Sequence, residues 1–315
     1  MLDASVPEGS VSPDDLAFVV NSYNRRVLLE RAIVSLYERL RPLPGEVIVV
    51  DDGSTDGSAE LIERWAADGR HPGLRLMRPQ RKLGFAGGVN AGISSARAPY
   101  VCLFETDNVA LDAGIWRAVG YLRAYSRVAA VGFRVTTVDG RTAGNSMSFP
   151  SPLAFVLGQQ ISARLGLERP TPGPRRDVVF TSPLVLSRAA IAQVGLMNDV
   201  AFPFSDSDID WCRRIHDAGF EMHVIEDVSV VHDQGDQKSE FSRKRTLDYH
   251  RARLAYFKLH EPRTVPWLRA ALLARHVGEL VLLGSARAVG VVGSDRVQTR
   301  LSLLRTWHRD YEPTP

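Results

Sequence analysis

Cysteine is nearly absent from this chain of 315 residues: Cys102 lies in a strand-like run and Cys212 in a helix-like one. Neither has a neighbour at metal-ligand spacing, so buried free thiols in a reducing compartment are expected ahead of a disulfide. The first residues, "MLDASVPEGSVSPDD", have neither a basic start nor an apolar stretch. No secretory signal is expected, and the cytoplasm is the default location. Internal repeats and low-complexity tracts are missing as well. The most apolar late segment, 277–292, is interrupted by Glu279 and Arg287 and is shorter than the roughly 20 residues that span a bilayer. It either packs against the rest of the fold or lies as an interfacial helix flanked by Arg residues.

What remains is the composition of a folded globular chain, 44% hydrophobic and 24% charged, which excludes disorder, fibre and integral membrane classes. The length suits one large domain or two smaller ones. Net charge is +3, but residues 241–315 hold fourteen Lys and Arg against six Asp and Glu. The tail is therefore +8 and the first 240 residues −5. Such a stripe suits a phosphate-bearing partner or a membrane surface, or is a solvated helical face. Without an aromatic-studded sheet or a known motif beside it, no nucleic-acid partner is expected.

Short apolar runs alternate with helical patterns over the first 110 residues. Residues 16–23, 46–50, 74–77 and 100–104 read as buried strands. Between them, Leu29, Ala32, Ile33, Leu36, Tyr37 and Leu40, then Leu61, Ile62, Trp65 and Ala66, then "GFAGGVNAGISSA", read as helices. This alternation predicts an α/β fold with a mostly parallel sheet, whose ligands bind beyond the carboxyl ends of the strands. The polar clusters after Val20, Val50 and Phe104 should meet there. Further on, 168–177 reads as a loop, 178–187 as a strand, 206–220 as a helix with acids at its start and Gly219 at its end, and the last 70 residues as helical.

"PYVCLFETDN" ends a strand in Glu105, Thr106 and Asp107. Carboxylates two apart beyond a strand can hold a hard divalent cation that in turn holds a diphosphate, or they can simply form a turn. "VVDDGSTDGS" likewise puts Asp51 and Asp52 where a carboxylate can accept from a nucleobase or ribose, or else makes a turn and a helix cap.

Six segments, "VVNSYNR" (19–25), "VIVVDDGSTDGS" (47–58), "LGFAGGVNAGI" (83–93), "CLFETDN" (102–108), "SDIDWCRRIHDAGF" (207–220) and "VVHDQGDQKS" (230–239), resemble in order the motifs of family-2 inverting glycosyltransferases, with the rhamnosyltransferase-like branch nearest in pattern. The resemblance covers about residues 16–260. It implies the GT-A fold, a Rossmann-like mixed and mostly parallel sheet flanked by helices, here with a helical C-terminal extension. The implied layout is a disordered tail over 1–15, a transferase domain over 16–240 with a nucleotide-binding half (16–110) and an acceptor half (111–240), and a basic helical extension over 241–315.

The resemblance also implies roles. Ser22, Tyr23, Asp51 and Asp52 would line the nucleotide, with Lys82, Asn90 and Thr106 near the diphosphate and sugar. Glu105 and Asp107 occupy the D-x-D position and, with His232, would hold Mn²⁺ or Mg²⁺. Asp208 would be the general base, across the crevice from Glu105 and Asp107, with Asp206 and Asp210 as nearby substitutes; an acidic helix start without catalysis is the alternative. The donor would be a nucleotide diphosphate sugar, dTDP-rhamnose or a UDP-hexose foremost, and the acceptor a glycan, a lipid-linked sugar or a small molecule, in cell-surface glycan or natural-product biosynthesis. Peripheral contact with the inner face of the cytoplasmic membrane would use the C-terminal helices.

The sequence departs from the pattern at Glu105, at Ser207 beside the base, at "GLMND" (195–199) and at "TSPL" (181–184). "WCRRIH" stands where processive synthases carry Q-x-x-R-W, which argues for transfer of a single sugar. A non-catalytic binder of sugar nucleotide or lipid remains an alternative. So does a sugar nucleotidyltransferase, although "NSYNRR" is a poor match for the basic glycine-rich loop of that class.

Overall fold

The computed structural model describes residues 11–167, 169, 173–233, 243–288 and 294–311. Most of the expected N-terminal tail, part of the 168–177 loop and the end of the 230–239 motif lie outside the described residues. The helices and strands, in chain order, are β1 (Leu16–Ser22), α1 (Arg26–Arg39), β2 (Glu46–Asp51), α2 (Ser58–Ala67), β3 (Leu74–Met77), α3 (Gly84–Ser95), β4 (Tyr100–Leu103), β5 (Asn108–Ala110), α4 (Arg117–Ala124), β6 (Val128–Thr136), β7 (Thr142–Ala143), β8 (Ser146–Met147), α5 (Pro152–Leu157), α6 (Gln159–Leu165), β9 (Arg175–Arg176), β10 (Val178–Val179), β11 (Leu184–Ser187), α7 (Arg188–Val194), α8 (Ser207–Asp217), β12 (Glu221–His232), α9 (Arg243–His260), α10 (Val265–Ala288) and α11 (Ser294–Thr306).

Two compact units result. The first comprises Met1–Phe149, Pro170–Pro203 and Ser207–Asp236, and the second Pro150–Arg169, Phe204–Asp206 and Gln237–Pro315. The first unit is the expected α/β layer structure. Its sheet runs β3-β2-β1-β4-β11-β6-β12-β5, with β7 added to β6 and β9 to β12. β1 pairs in parallel with both β2 and β4, β2 with β3, and β6 with β12. β11 is antiparallel to β4 and β6, and β5 to β12, so the sheet is mixed. The chain winds outward from β1 to β3 and then returns through α3 to β4 on the other side of β1. That reversal is a switch point, the place where open α/β sheets bind ligands beyond the strand ends.

Alternation along β1 explains the layering. Leu16, Phe18 and Val20 join a core with Leu29, Ile33 and Leu36 of α1, and Phe18 meets Phe104 and Trp116 edge-on at 6.1 and 6.3 Å. Val19 points to the opposite face, against α3. A β-carbon on Gly92 would come within 2.2 Å of Val19 Cγ1, and one on Gly88 within 2.3 Å of Asn21 Oδ1. The small residues of α3 thus let the helix lie directly on the strand.

Two sequence expectations need revision. The single strand expected over 178–187 is two: β10 pairs with β8 in a separate small sheet, and β11 starts only after Pro183, which has no N–H to give a ladder. Residues 13–15, placed in the tail, form a short 3₁₀ turn capped by Ser12. Asp15 of that turn pairs with Arg123. The last strand, β12, runs over 12 residues to His232 and is irregular between Ile225 and Ser229. Both cysteines are free and buried, as expected.

The second unit is helical. α9, α10 and α11 pack together, and α5 packs on α10. Among the described residues no helix is long and apolar enough to cross a membrane.

Candidate active site

Register brings the first two loops together. Ser22, the last residue of β1, pairs with Asp51, the last of β2. The loops are then laced: Asn24 N–H donates to Ser54 Oγ (2.9 Å), Thr55 N–H to Asn24 Oδ1 (2.7 Å), and Arg26 N–H, at the start of α1, to Asp56 Oδ2 (2.9 Å). Asn24 has φ +51, a left-handed conformation that Asn tolerates better than most residues.

The two adjacent aspartates have different tasks. Asp52 accepts from the backbone N–H groups of Leu83 (2.6 Å) and Gly84 (3.0 Å), which fixes the start of α3 beside the first two loops. Asp51 accepts from Ser54 N–H at 3.0 Å through one oxygen, while its buried Oδ1 has no hydrogen-bond partner. Ser22 Oγ, in the neighbouring strand, is also buried without one. Two adjacent unsatisfied polar atoms are costly unless a ligand or water completes them. Above them, exposed Tyr23 and Lys82 touch: Lys82 Nζ donates to the phenol oxygen (2.6 Å) and lies 3.8 Å from the ring centroid.

Asn90 is engaged elsewhere. Its Nδ2 donates to Met197 O (2.9 Å) and its Oδ1 accepts from Met197 N–H (3.0 Å), so it clasps the 195–199 loop. Trp211 Nε1 donates to Gly195 O (2.8 Å), and Arg214 donates to Val194 O and Leu196 O, completing the clasp from α8.

β4 delivers the acidic cluster. Val19 pairs with Leu103, and Phe104 N–H donates to Val19 O, so Glu105 emerges level with the end of β1. β12 supplies His232, which pairs across the antiparallel ladder with Asn108, next to Asp107. His232 Nε2 stands 3.2 Å from Asp107 Oδ1, and Arg25 approaches Asp107 Oδ2 at 3.8 Å. Burial, reinforced by the Asp107 charge, pushes the Glu105 carboxyl up to about 7, although Thr181 donates to it at 3.1 Å. The Asp107 carboxylate raises His232 above the ordinary imidazole range. Thr106, between the two carboxylates, is buried.

Asp208 opens α8 and accepts from Ile209 N–H at 2.9 Å. Its charge contributes to the upward push on Glu105, which places it within electrostatic reach of the cluster. Its neighbours are committed: Asp210 holds Arg214 at 3.0 Å, and Asp206, in the helical unit, pairs with buried Arg253 at 2.7 Å. Among the described residues no three His, Cys, Asp or Glu side chains enclose a metal position. The Asp107–His232 pair with Glu105 nearby offers oxygen and imidazole donors, a set that fits Mn²⁺ better than Mg²⁺.

Sequence reasoning missed Arg25 and Thr181. The signal for Arg25 was a cation in the first loop facing an acidic strand end; Thr181 sits in a segment singled out only for its departure from the family pattern.

The succinoglycan biosynthesis protein ExoO of Rhizobium meliloti is 31% identical over 129 residues, 41% of this chain and 36% of that protein. The first curated relatives are matched over about a third to under two thirds of their own length. Among solved structures, a mannosyltransferase of Pyrobaculum calidifontis in complex with GDP-Man and Mn²⁺ superposes with a TM-score of 0.56 at 18% identity, covering 96% of this chain and 88% of that one. TarS 1-349 of S. aureus, in complex with UDP-GlcNAc, gives 0.53 at 14%, covering 94% and 92%. These likenesses establish the GT-A fold. The sequence model of Glycosyl transferase family 2 matches residues 17–174, half of the chain, and the chain belongs to that family.

Proposed function

We propose that this chain transfers a single sugar from a nucleotide diphosphate sugar to an acceptor hydroxyl, with inversion. The observation that supports the reading is a set of groups at the ends of β1, β2, β4 and β12: unsatisfied Ser22 Oγ and Asp51 Oδ1, then Glu105, Asp107 and His232, with the Asp208 charge acting on Glu105. Ser22 and Asp51 would receive the nucleoside, and the Tyr23–Lys82 pair would cover it. Asp52 and Asn90 are positioning residues, holding α3 and the 195–199 loop.

Asp107 and His232, with Glu105, would hold a divalent cation, Mn²⁺ in preference to Mg²⁺. When bound, such an ion neutralises the charge that develops on a departing diphosphate. Arg25 adds a fixed positive charge beside it. Asp208 would take the proton from the acceptor hydroxyl as its oxygen attacks the anomeric carbon, so that one displacement inverts the centre. The donors in the complexes of the structural neighbours, GDP-Man and UDP-GlcNAc, support a nucleotide diphosphate hexose. The resemblance to the rhamnosyltransferase-like branch keeps dTDP-rhamnose beside UDP-hexoses as donor. The ExoO relative supports an acceptor in polysaccharide biosynthesis.

Asp208→Asn tests the reading. It should leave donor binding near that of the parent while lowering the transfer rate about 10² to 10⁴-fold, the range of general-base contributions. A variant that turns over like the parent refutes the assignment.

A further inference from the structure

Among the described side chains of helix α10, the charged ones are paired while a set of apolar ones is exposed. Arg269 pairs with Asp310 and lies 4.8 Å from the Trp307 ring. Arg275 donates to Glu279 at 3.0 Å and to Phe155 O at 2.9 Å, and Arg300 approaches Glu279 at 2.6 Å. By contrast, every exposed position described between Val265 and Ser285 is uncharged. Trp267, Ala270, Ala274, Val277, Val281 and Leu282 recur at helical spacing as one stripe. At 1.5 Å per residue, a stripe running from 267 to 282 is about 22 Å long. Its large side chains are exposed, Trp267 by 48%, Val281 by 64% and Leu282 by 71%. A continuous apolar face of this kind marks an interaction surface.

Charge selects the occupant. Residues 241–315 carry fourteen basic and six acidic residues. Arg263 is exposed just ahead of the stripe, and Arg296 and Arg305 are exposed on α11, which packs against α10. A second copy would set +8 against +8, whereas an anionic leaflet attracts the same surface. We propose that α10 is a membrane-docking helix that lies in the headgroup boundary of an anionic bilayer, its apolar stripe in the acyl edge and the neighbouring Arg residues on lipid phosphates. A helix that presents an apolar face bordered by basic residues, with an aromatic near one end, suits this interfacial position. The docking surface does not depend on the chemistry proposed above.

The test is flotation of the full chain with vesicles of phosphatidylcholine alone or mixed with phosphatidylglycerol, at low and high salt. The chain should float with the mixed vesicles, less at high salt and less with the neutral lipid. Val281→Glu combined with Leu282→Glu should lower the partition at least about tenfold, given the apolar burial lost. The thermal midpoint should hold, because both side chains are already exposed. No flotation, equal flotation with neutral lipid, or flotation undiminished by the double substitution would overturn the proposal. So would a dimer in light scattering that the same substitutions convert to monomer, which would give the stripe to a second copy. Neither side chain belongs to the candidate active site, so failure here leaves the transfer reading standing.

Discussion

Asp52→Ala and Asp52→Asn should reveal whether this aspartate is a fastener or a ligand group. In the structure its two oxygens accept from Leu83 N–H and Gly84 N–H at 2.6 and 3.0 Å, and the residue is 8% exposed. Asn keeps one acceptor and turns an amide N–H₂ toward the other backbone N–H. One bond is lost and one buried donor is stranded, a cost of about 1–3 kcal/mol. Ala strands both donors at the start of α3 and also removes a negative charge from the helix's positive end, so about 2–4 kcal/mol is expected. The assay is urea denaturation followed by tryptophan fluorescence and circular dichroism, with Asp51→Asn as the comparison. Asp51 has one oxygen free of protein partners, so its substitution should weaken nucleotide binding and change stability by less than either Asp52 variant. Asp52 variants as stable as the parent, or an Asp51 variant with unchanged nucleotide affinity, would refute the division of tasks.

Gly92→Ala should cost about 1–3 kcal/mol by overpacking, since the new β-carbon would meet Val19 Cγ1 at 2.2 Å; an unchanged denaturation midpoint would contradict the close helix–strand contact. Glu105, held near 7 by burial and the Asp107 charge, stays protonated in the folded state at pH values where the unfolded chain has already lost that proton. Its contribution to stability therefore falls as pH rises from about 4.5 to about 7, by up to about 3 kcal/mol, and Glu105→Gln should flatten that decline in chelator-treated protein. His250, buried and depressed to about 3, works in the opposite sense. The unfolded chain takes up a proton below about 6.5 and the folded helical unit does not, so stability is lost on acidification, and His250→Gln should reduce the loss measured by circular dichroism.

The first half of the sheet is legible because β1 to β4 are short apolar runs separated by helices of clear periodicity, and local pattern suffices. β6 escaped because its identity depends on distant partners, β11 and β12. Pro183 is visible in the 178–187 run, but where the ladder restarts depends on β4 and β6, which are distant in the chain. In the site, motif order singles out Asp107 and His232, which the structure sets 3.2 Å apart with the Glu105 carboxyl acting on both charges. The roles of Asp52 and Asn90 were not readable, because their partners lie 31 and 107 residues away and are backbone atoms, which leave no compositional trace. Nor could the sequence show that the described charges of α10 are paired. Arg269 and Arg275 look like solvated positions until Asp310 and Glu279 are seen beside them.

The central claim is tested most directly by calorimetric titration of the purified chain with UDP-, dTDP- and GDP-sugars, each with Mn²⁺ or with chelator. One nucleotide class should bind in the presence of Mn²⁺. That binding should weaken sharply in chelator and in Asp107→Asn, and should persist in Asp208→Asn. Binding indifferent to both metal and Asp107, or no binding by any donor, would contradict the account.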